Sequence, residues 1–221
     1  MNKEKRFKIV ILSDLTSWIN PTIELLVSHW QESGYEVLWS HSLRDITTAD
    51  FCFCLSLSKI LKREMRNRFR HTLVVHASDL PHGKGWSPLT WQILEGKNRV
   101  AVSLFEADDS VDSGPIYTQC HIDFEGYELI DDLRRKLADA TYELCTWFVS
   151  EYPTSASHPR VQSGVESFYR KRGPADSQLD VNKTIAEQFN LLRVIDNHAY
   201  PLFFEWKGRR FVLRITDDGD V

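Results

Sequence analysis

Cysteine is scarce in this chain and poorly spaced for holding anything. The four residues, Cys52, Cys54, Cys120 and Cys145, form no CxxC pair and no zinc-type set with histidine. A disulfide framework and a structural metal are therefore not expected. Reduced, mostly buried thiols in a cytoplasmic protein are. Long apolar runs are also missing. Residues 1–6 are polar, and the apolar stretch behind them, residues 7–12, is far too short for a signal core or a membrane span. Positive charge is not in excess: 27 Lys+Arg stand against 31 Asp+Glu, a net charge of −4, which argues against nucleic acid as a partner. There is no GxGxxG, no glycine loop ending in GKS or GKT, no repeat and no low-complexity tract.

What is present is ordinary globular material. Hydrophobic residues make up 42% and charged residues 26% of 221, which excludes disordered, collagen-like and coiled-coil chains. The length suits one domain and a small appendage, with a core that needs no disulfide or metal. Short β-rich runs at 7–13, 35–39, 49–57, 71–76, 99–106 and 116–124 alternate with helical patterns. Two helices are announced by a cap followed by proline, Asn20–Pro21 and Ser87–Pro88, and end at Gly34 and Gly96. A third, over 127–152, carries Ile130, Leu133, Leu137, Leu144 and Phe148 on one face. Residues 59–70 read as a basic helix with a solvated face. The pattern predicts a three-layer α/β domain with a mainly parallel sheet over 1–152. A Ser- and Pro-rich linker follows at 153–164, and then a small α+β appendage over 165–221. The appendage holds a helix capped by Asn182 and a hairpin around Lys207–Gly208.

Two loops carry candidate chemistry. Residues 76–88 (HASDLPHGKGWSP) follow a buried strand, where open α/β sheets bind ligands. Residues 106–116 (EADDSVDSGPI) follow another and hold Glu106, Asp108, Asp109 and Asp112. His76 and a carboxylate brought together from two neighbouring strand ends would make an acid–base pair. The same residues also allow a packing histidine and a solvated acidic turn. His71, His76, Asp79 and His82 imitate a metal cluster, but their spacing fits no common ligand pattern.

HASDLP followed by VDSGPI resembles the signature of the folate-dependent formyltransferases, carried here by His76, Ser78, Leu80, Pro81, Asp112, Gly114 and Ile116. The resemblance covers most of residues 7–150. It implies a three-layer, Rossmann-like formyltransferase domain that uses N10-formyltetrahydrofolate as co-substrate, with His76 and Asp112 as catalytic residues. It places the folate against Leu57, Ile60, Ala107, Asp109, Val111 and Asp112, largely through backbone groups. The family has an asparagine two residues before the histidine. This chain has Val74, so His76, with a backbone group or water, is left to stabilise the developing oxyanion.

The tail, with FYRKRGPADSQLD at 168–180, Leu191, Leu192 and Arg193, and Tyr200–Pro201 before the hairpin, resembles the nucleotide-sugar N-formyltransferase branch. HGKGWSP resembles the enzymes of pseudaminic-acid-type sugars, whose substrates are UDP-linked 4-amino-4,6-dideoxy sugars. Methionyl-tRNA-like and glycinamide-ribonucleotide-like formyltransferases, and a non-catalytic binding protein, are the alternatives. Substrate contacts are expected from Ser78, Lys84, Gly85 and Trp86, and from Arg170, Lys171 and Arg172 in the tail. The hairpin's open edge allows a homodimer.

Overall fold

The computed structural model describes residues 6–44 and 46–219. The outer ends of the two expected units, 1–5 and 220–221, lie outside the described residues. The elements are β1 (Lys8–Leu12), α1 (Asn20–Glu32), β2 (Glu36–Ser40), β3 (Ala49–Cys54), α2 (Arg63–Arg66), β4 (Phe69–His76), β5 (Lys84–Gly85), α3 (Pro88–Leu94), β6 (Arg99–Glu106), β7 (Ile116–Asp123), α4 (Ile130–Ser150), β8 (Phe168–Tyr169), α5 (Phe189–Arg193), β9 (Leu202–Trp206) and β10 (Arg209–Leu213). Among them no helix is long and apolar enough to cross a membrane.

The strands sort their side chains by alternation. Ile9, Ile11, Phe51 and Phe53 point to one face of the sheet, where α1, α3 and α4 cover them with Ile23, Trp30, Ile93 and Phe148. Val10, Leu12, Cys52 and Cys54 point to the other, where Ile46, Leu61 and Phe69 meet them. The two helical layers are thus unequal, because the second is only the single turn of α2 and its loops.

The six strands lie in the order β2-β1-β3-β4-β6-β7. The first four are mutually parallel, and β6 and β7 are antiparallel to their neighbours. Strand order reverses at β1, so a crevice opens beyond the carboxyl ends of β1 and β3.

Several local expectations are corrected. The basic stretch 59–70 is helical only at Arg63–Arg66, because Phe69 and the residues after it join β4. Its cations do face solvent, with Lys59, Lys62, Arg63, Arg68 and Arg70 exposed, and two are also tethered: Arg66 donates to the Leu61 carbonyl and Arg68 to that of Ile46. Asn20 does not cap α1. It is the helix's first residue, and its side-chain amide donates to the Asp14 and Leu15 carbonyls, tying down the loop after β1. Ser87 makes no side-chain cap and is left-handed at φ 49°. In the appendage, Thr184 and Glu187 exchange bonds at the opening turn of the helix, where Asn182 was expected to cap.

The stretch 153–164 is a fastened strap. Arg160 pairs with Ile116 through both backbone bonds, at 2.7 and 2.8 Å. Beyond it β8 lies parallel to β5, and the tail packs Leu179, Leu192, Ile195 and Leu202 into a small core. The hairpin β9–β10 turns at Lys207 and Gly208, both at positive φ, as a two-residue turn requires. Arg193 docks the tail on the sheet domain. Only 1% exposed, it donates to the Glu128 carboxylate at 3.2 Å, to the Glu128 carbonyl and to Asn98.

Candidate active site

His76 is the last residue of β4 and is buried. Its Nε2 lies 2.8 Å from the Gly83 carbonyl oxygen. A carbonyl only accepts, so Nε2 carries a proton. The same nitrogen is 3.7 Å from Asp112 Oδ2, which accepts a bond from the Gly85 N–H at 2.8 Å. Histidine and carboxylate are therefore neighbours, with the carboxylate angle set by backbone.

The route by which Asp112 arrives differs from two neighbouring strand ends. Because β6 runs antiparallel to β4, its last residue Glu106 lies opposite Leu73, and Ala107 donates to the Thr72 carbonyl at 2.7 Å. The loop must double back toward the far end of β4. Three features hold it there. Gly114 has no side chain to strike the Glu106 carbonyl, which a Cβ would meet at 1.8 Å. Asp112 takes the left-handed conformation, φ 49°. The Gln162 amide, from the strap, donates to the Asp112 and Gly114 carbonyls at 2.9 and 2.8 Å. Sequence reasoning missed Gln162, since no motif marks a side chain whose partners are backbone atoms about fifty residues earlier.

Around this pair lies a cavity of about 500 Å³ that runs over the carboxyl ends of β1, β3 and β4. The loop after β3 gives Leu57 and Ile60, the loop after β6 gives Ala107 and Val111, and Val74 and Phe105 also line it. Ile60, Val111 and Trp86 are 62%, 39% and 40% exposed, so apolar surface is left open around the mouth. Val74 offers only methyl groups.

The structure gathers His76, Asp112, Leu57, Ile60, Ala107, Val111, Gly85 and Trp86 on this cavity, and moves other expected residues away from it. Asp109 turns outward to Arg66 at 2.5 Å, and that guanidinium holds its carboxyl below the usual range. Ser78 is 1% exposed, and its hydroxyl has no partner. Lys84 is 2% exposed and is paired with Glu166 at 2.6 Å. Arg170 grips Asp176, whose carboxyl it helps hold down to about 2, and lies over the Trp91 ring. Arg172 turns inward to the Asp176 and Val194 carbonyls. His71, offered as part of a cluster with His76, instead meets Glu106 and Tyr117.

Residues 35–148 match the formyl transferase domain family. The chain is 26% identical over 145 residues to the methionyl-tRNA formyltransferase of Thermodesulfovibrio yellowstonii, covering 65% of this chain and 47% of that one. It spans about half the length of the curated relatives it matches. Among solved structures, methionyl-tRNA formyltransferase from Clostridium thermocellum superposes with TM-score 0.78 at 20% identity, covering 96% of this chain and 95% of that one. A 4-N formyltransferase from Francisella tularensis gives 0.73 at 15% identity, covering 95% and 97%. HypX from Aquifex aeolicus in complex with tetrahydrofolic acid gives 0.77 at 15% identity, covering 93% and 37%. At these identities the likeness is one of fold.

Proposed function

The chain belongs to the formyl transferase family, and from that premise we propose that it moves the formyl group of N10-formyltetrahydrofolate to the amino group of a nucleotide-linked 4-amino-4,6-dideoxy sugar. One observation carries the reading. His76 and Asp112 meet in a cavity walled by the two loops to which the sequence resemblance assigns the folate. Open apolar side chains at the mouth, Ile60 and Val111, suit a flat heterocycle. The folate-bound fold neighbour and the 4-N formyltransferase neighbour point the same way.

When bound, the donor supplies an activated formyl carbon to which the amine adds before the bond to N10 breaks. The residues divide the proton work. Asp112 accepts the proton that the amine loses. The His76 N–H, now held by the Gly83 carbonyl, is the donor available to the oxygen as it gains charge. The pair then returns a proton to the departing nitrogen. Val74 contributes no donor, so more of the stabilisation falls on His76. A single oxyanion donor contributes about 2.7–4 kcal/mol.

The finer assignment, a UDP-linked 4-amino-4,6-dideoxy-N-acetyl-altrosamine of pseudaminic-acid type, rests on the HGKGWSP segment. The hairpin's free edge is read as the contact for a second copy. The rival acceptor is a methionyl-tRNA, favoured by the names of the sequence relatives.

A panel decides between them. Protein and formyl donor are mixed with UDP- and dTDP-linked 4-amino sugars and with methionyl-tRNA, and each acceptor is weighed. A sugar is expected to gain the mass of one formyl group. His76→Asn and Asp112→Asn are each expected to lower kcat by roughly 10²–10⁴-fold. Normal turnover in both variants, or formyl transfer to the tRNA alone, would overturn the reading.

A further inference from the structure

Both substrates of the proposed reaction are anionic, and the chain is itself net −4. Cations must therefore be positioned at the cavity and left unpaired. Most of those nearby are already engaged. Lys84 is held by Glu166, Arg66 by Asp109, Arg134 by Asp196 and Arg170 by Asp176. Arg172 donates inward to carbonyls.

Lys59 and Lys171 differ. Neither has a carboxylate partner among the described residues. Lys59 is exposed and lines the cavity from the loop after β3. The Lys171 ammonium stands 4.7 Å from the ring centroid of Trp86, an indole that is 40% exposed and lines another wall. The sequence offered Arg170, Lys171 and Arg172 as equals. In the structure only Lys171 of these three reaches a cavity-lining side chain and keeps its charge unpaired.

The position is informative. Trp86 directly follows Gly85, whose N–H holds Asp112. Consecutive Cα atoms are about 3.8 Å apart. Asp112, Gly85 and Trp86 therefore line one stretch of the cavity wall, and Lys171 stands at its edge. A cation over an indole face is held without losing its charge, and an ammonium is a compact point charge suited to phosphate.

We propose that Lys171, seated on Trp86, is the diphosphate-binding group for the acceptor, and that Lys59 serves the carboxylates of the folate. The inference rests on the function proposed above and assigns each anionic substrate its own lysine.

The test is a crossed one. Steady-state kinetics with the nucleotide-linked amino sugar are measured for Lys171→Ala, Lys171→Arg and Lys59→Ala, and UDP alone is titrated by calorimetry. Lys171→Ala is expected to raise the acceptor KM about tenfold and weaken UDP by a similar factor, as for a lost charged hydrogen bond. Its kcat and donor KM stay near wild type, and Lys171→Arg recovers most of the loss. Lys59→Ala is expected to raise the donor KM only. Unchanged UDP affinity in Lys171→Ala overturns the inference and leaves the proposed function standing. Failure of every nucleotide sugar as acceptor overturns the function, while the UDP titration still reports on Lys171 by itself. If both lysines affect the same KM, the division of roles is overturned.

Discussion

Asp112 illustrates how a single residue is aimed by a backbone N–H and a side-chain amide far away in the chain. Its carboxylate is fixed by the Gly85 N–H and its carbonyl by Gln162. Each such bond contributes about 1 kcal/mol, so losing the Gln162 pair frees the loop that carries the carboxylate. Gln162→Ala is expected to lower kcat by about tenfold, leave both KM values nearly unchanged and shift the pH profile of kcat. Gln162→Glu, whose ionised side chain cannot donate to carbonyls, should match it. A change confined to the melting midpoint would show that Gln162 only supports the fold. The meeting of His76 with Asp112 was legible in the sequence, because a histidine and an aspartate in two spaced motifs form a recognisable pattern. Gln162 was not, because its partners are main-chain atoms. Nor was the engagement of Lys84 with Glu166, whose positions lie 82 residues apart and meet only when β8 pairs with β5.

At the scale of elements, β1 and β3 were readable as buried strands because a parallel strand covered on both faces must be apolar throughout. The antiparallel run of β6 was not, since the same apolar run serves either direction, and that direction decides that the Asp112 loop must fold back. The docking of α5 on the sheet domain is a second such case. Arg193 and Glu128 are almost fully buried and share one network with Asn98 and Lys136. Burial pushes the Glu128 carboxyl up, but the Glu125 and Gly126 N–H groups and the Lys136 ammonium outweigh it and hold it at about 2.

A depressed carboxyl stabilises the fold above its unfolded value near 4.5, and that stabilisation fades as pH falls toward 2. Its size is about 3 kcal/mol at 1.36 kcal/mol per unit. Wild type should therefore lose stability between about pH 4.5 and 2, and Glu128→Gln should lose much less over that window. Denaturant unfolding at stepped pH reads both. Arg193→Ala leaves Glu128 buried without its guanidinium and is expected to cost about 3–5 kcal/mol at neutral pH. Parallel curves for wild type and Glu128→Gln would refute this account of the interface.

For the whole molecule, the uneven finish of the hairpin matters more than the net charge. All five residues of β10 are exposed, and Phe211, Val212 and Leu213 follow one another at 41%, 56% and 40% exposure. Two strands alone are marginal in water, and β10 is hydrogen-bonded on one side only. A bare apolar edge of this kind is usually blunted by charge or covered. Self-pairing covers it well. An antiparallel two-fold centred on Phe211 sets that ring against its own copy. It also places Arg209 and Arg210 opposite apolar residues instead of opposite each other. Light scattering is expected to give twice the 25.7 kDa of one chain. Val212→Lys sets an ammonium opposite Arg210 of the second copy on each side of the two-fold, and it should run as a single chain while keeping its melting midpoint and formyl transfer. The cavity lies in the sheet domain, so activity need not fall with the dimer. A wild-type protein that stays single at high concentration would mean that this edge does not pair with its own copy.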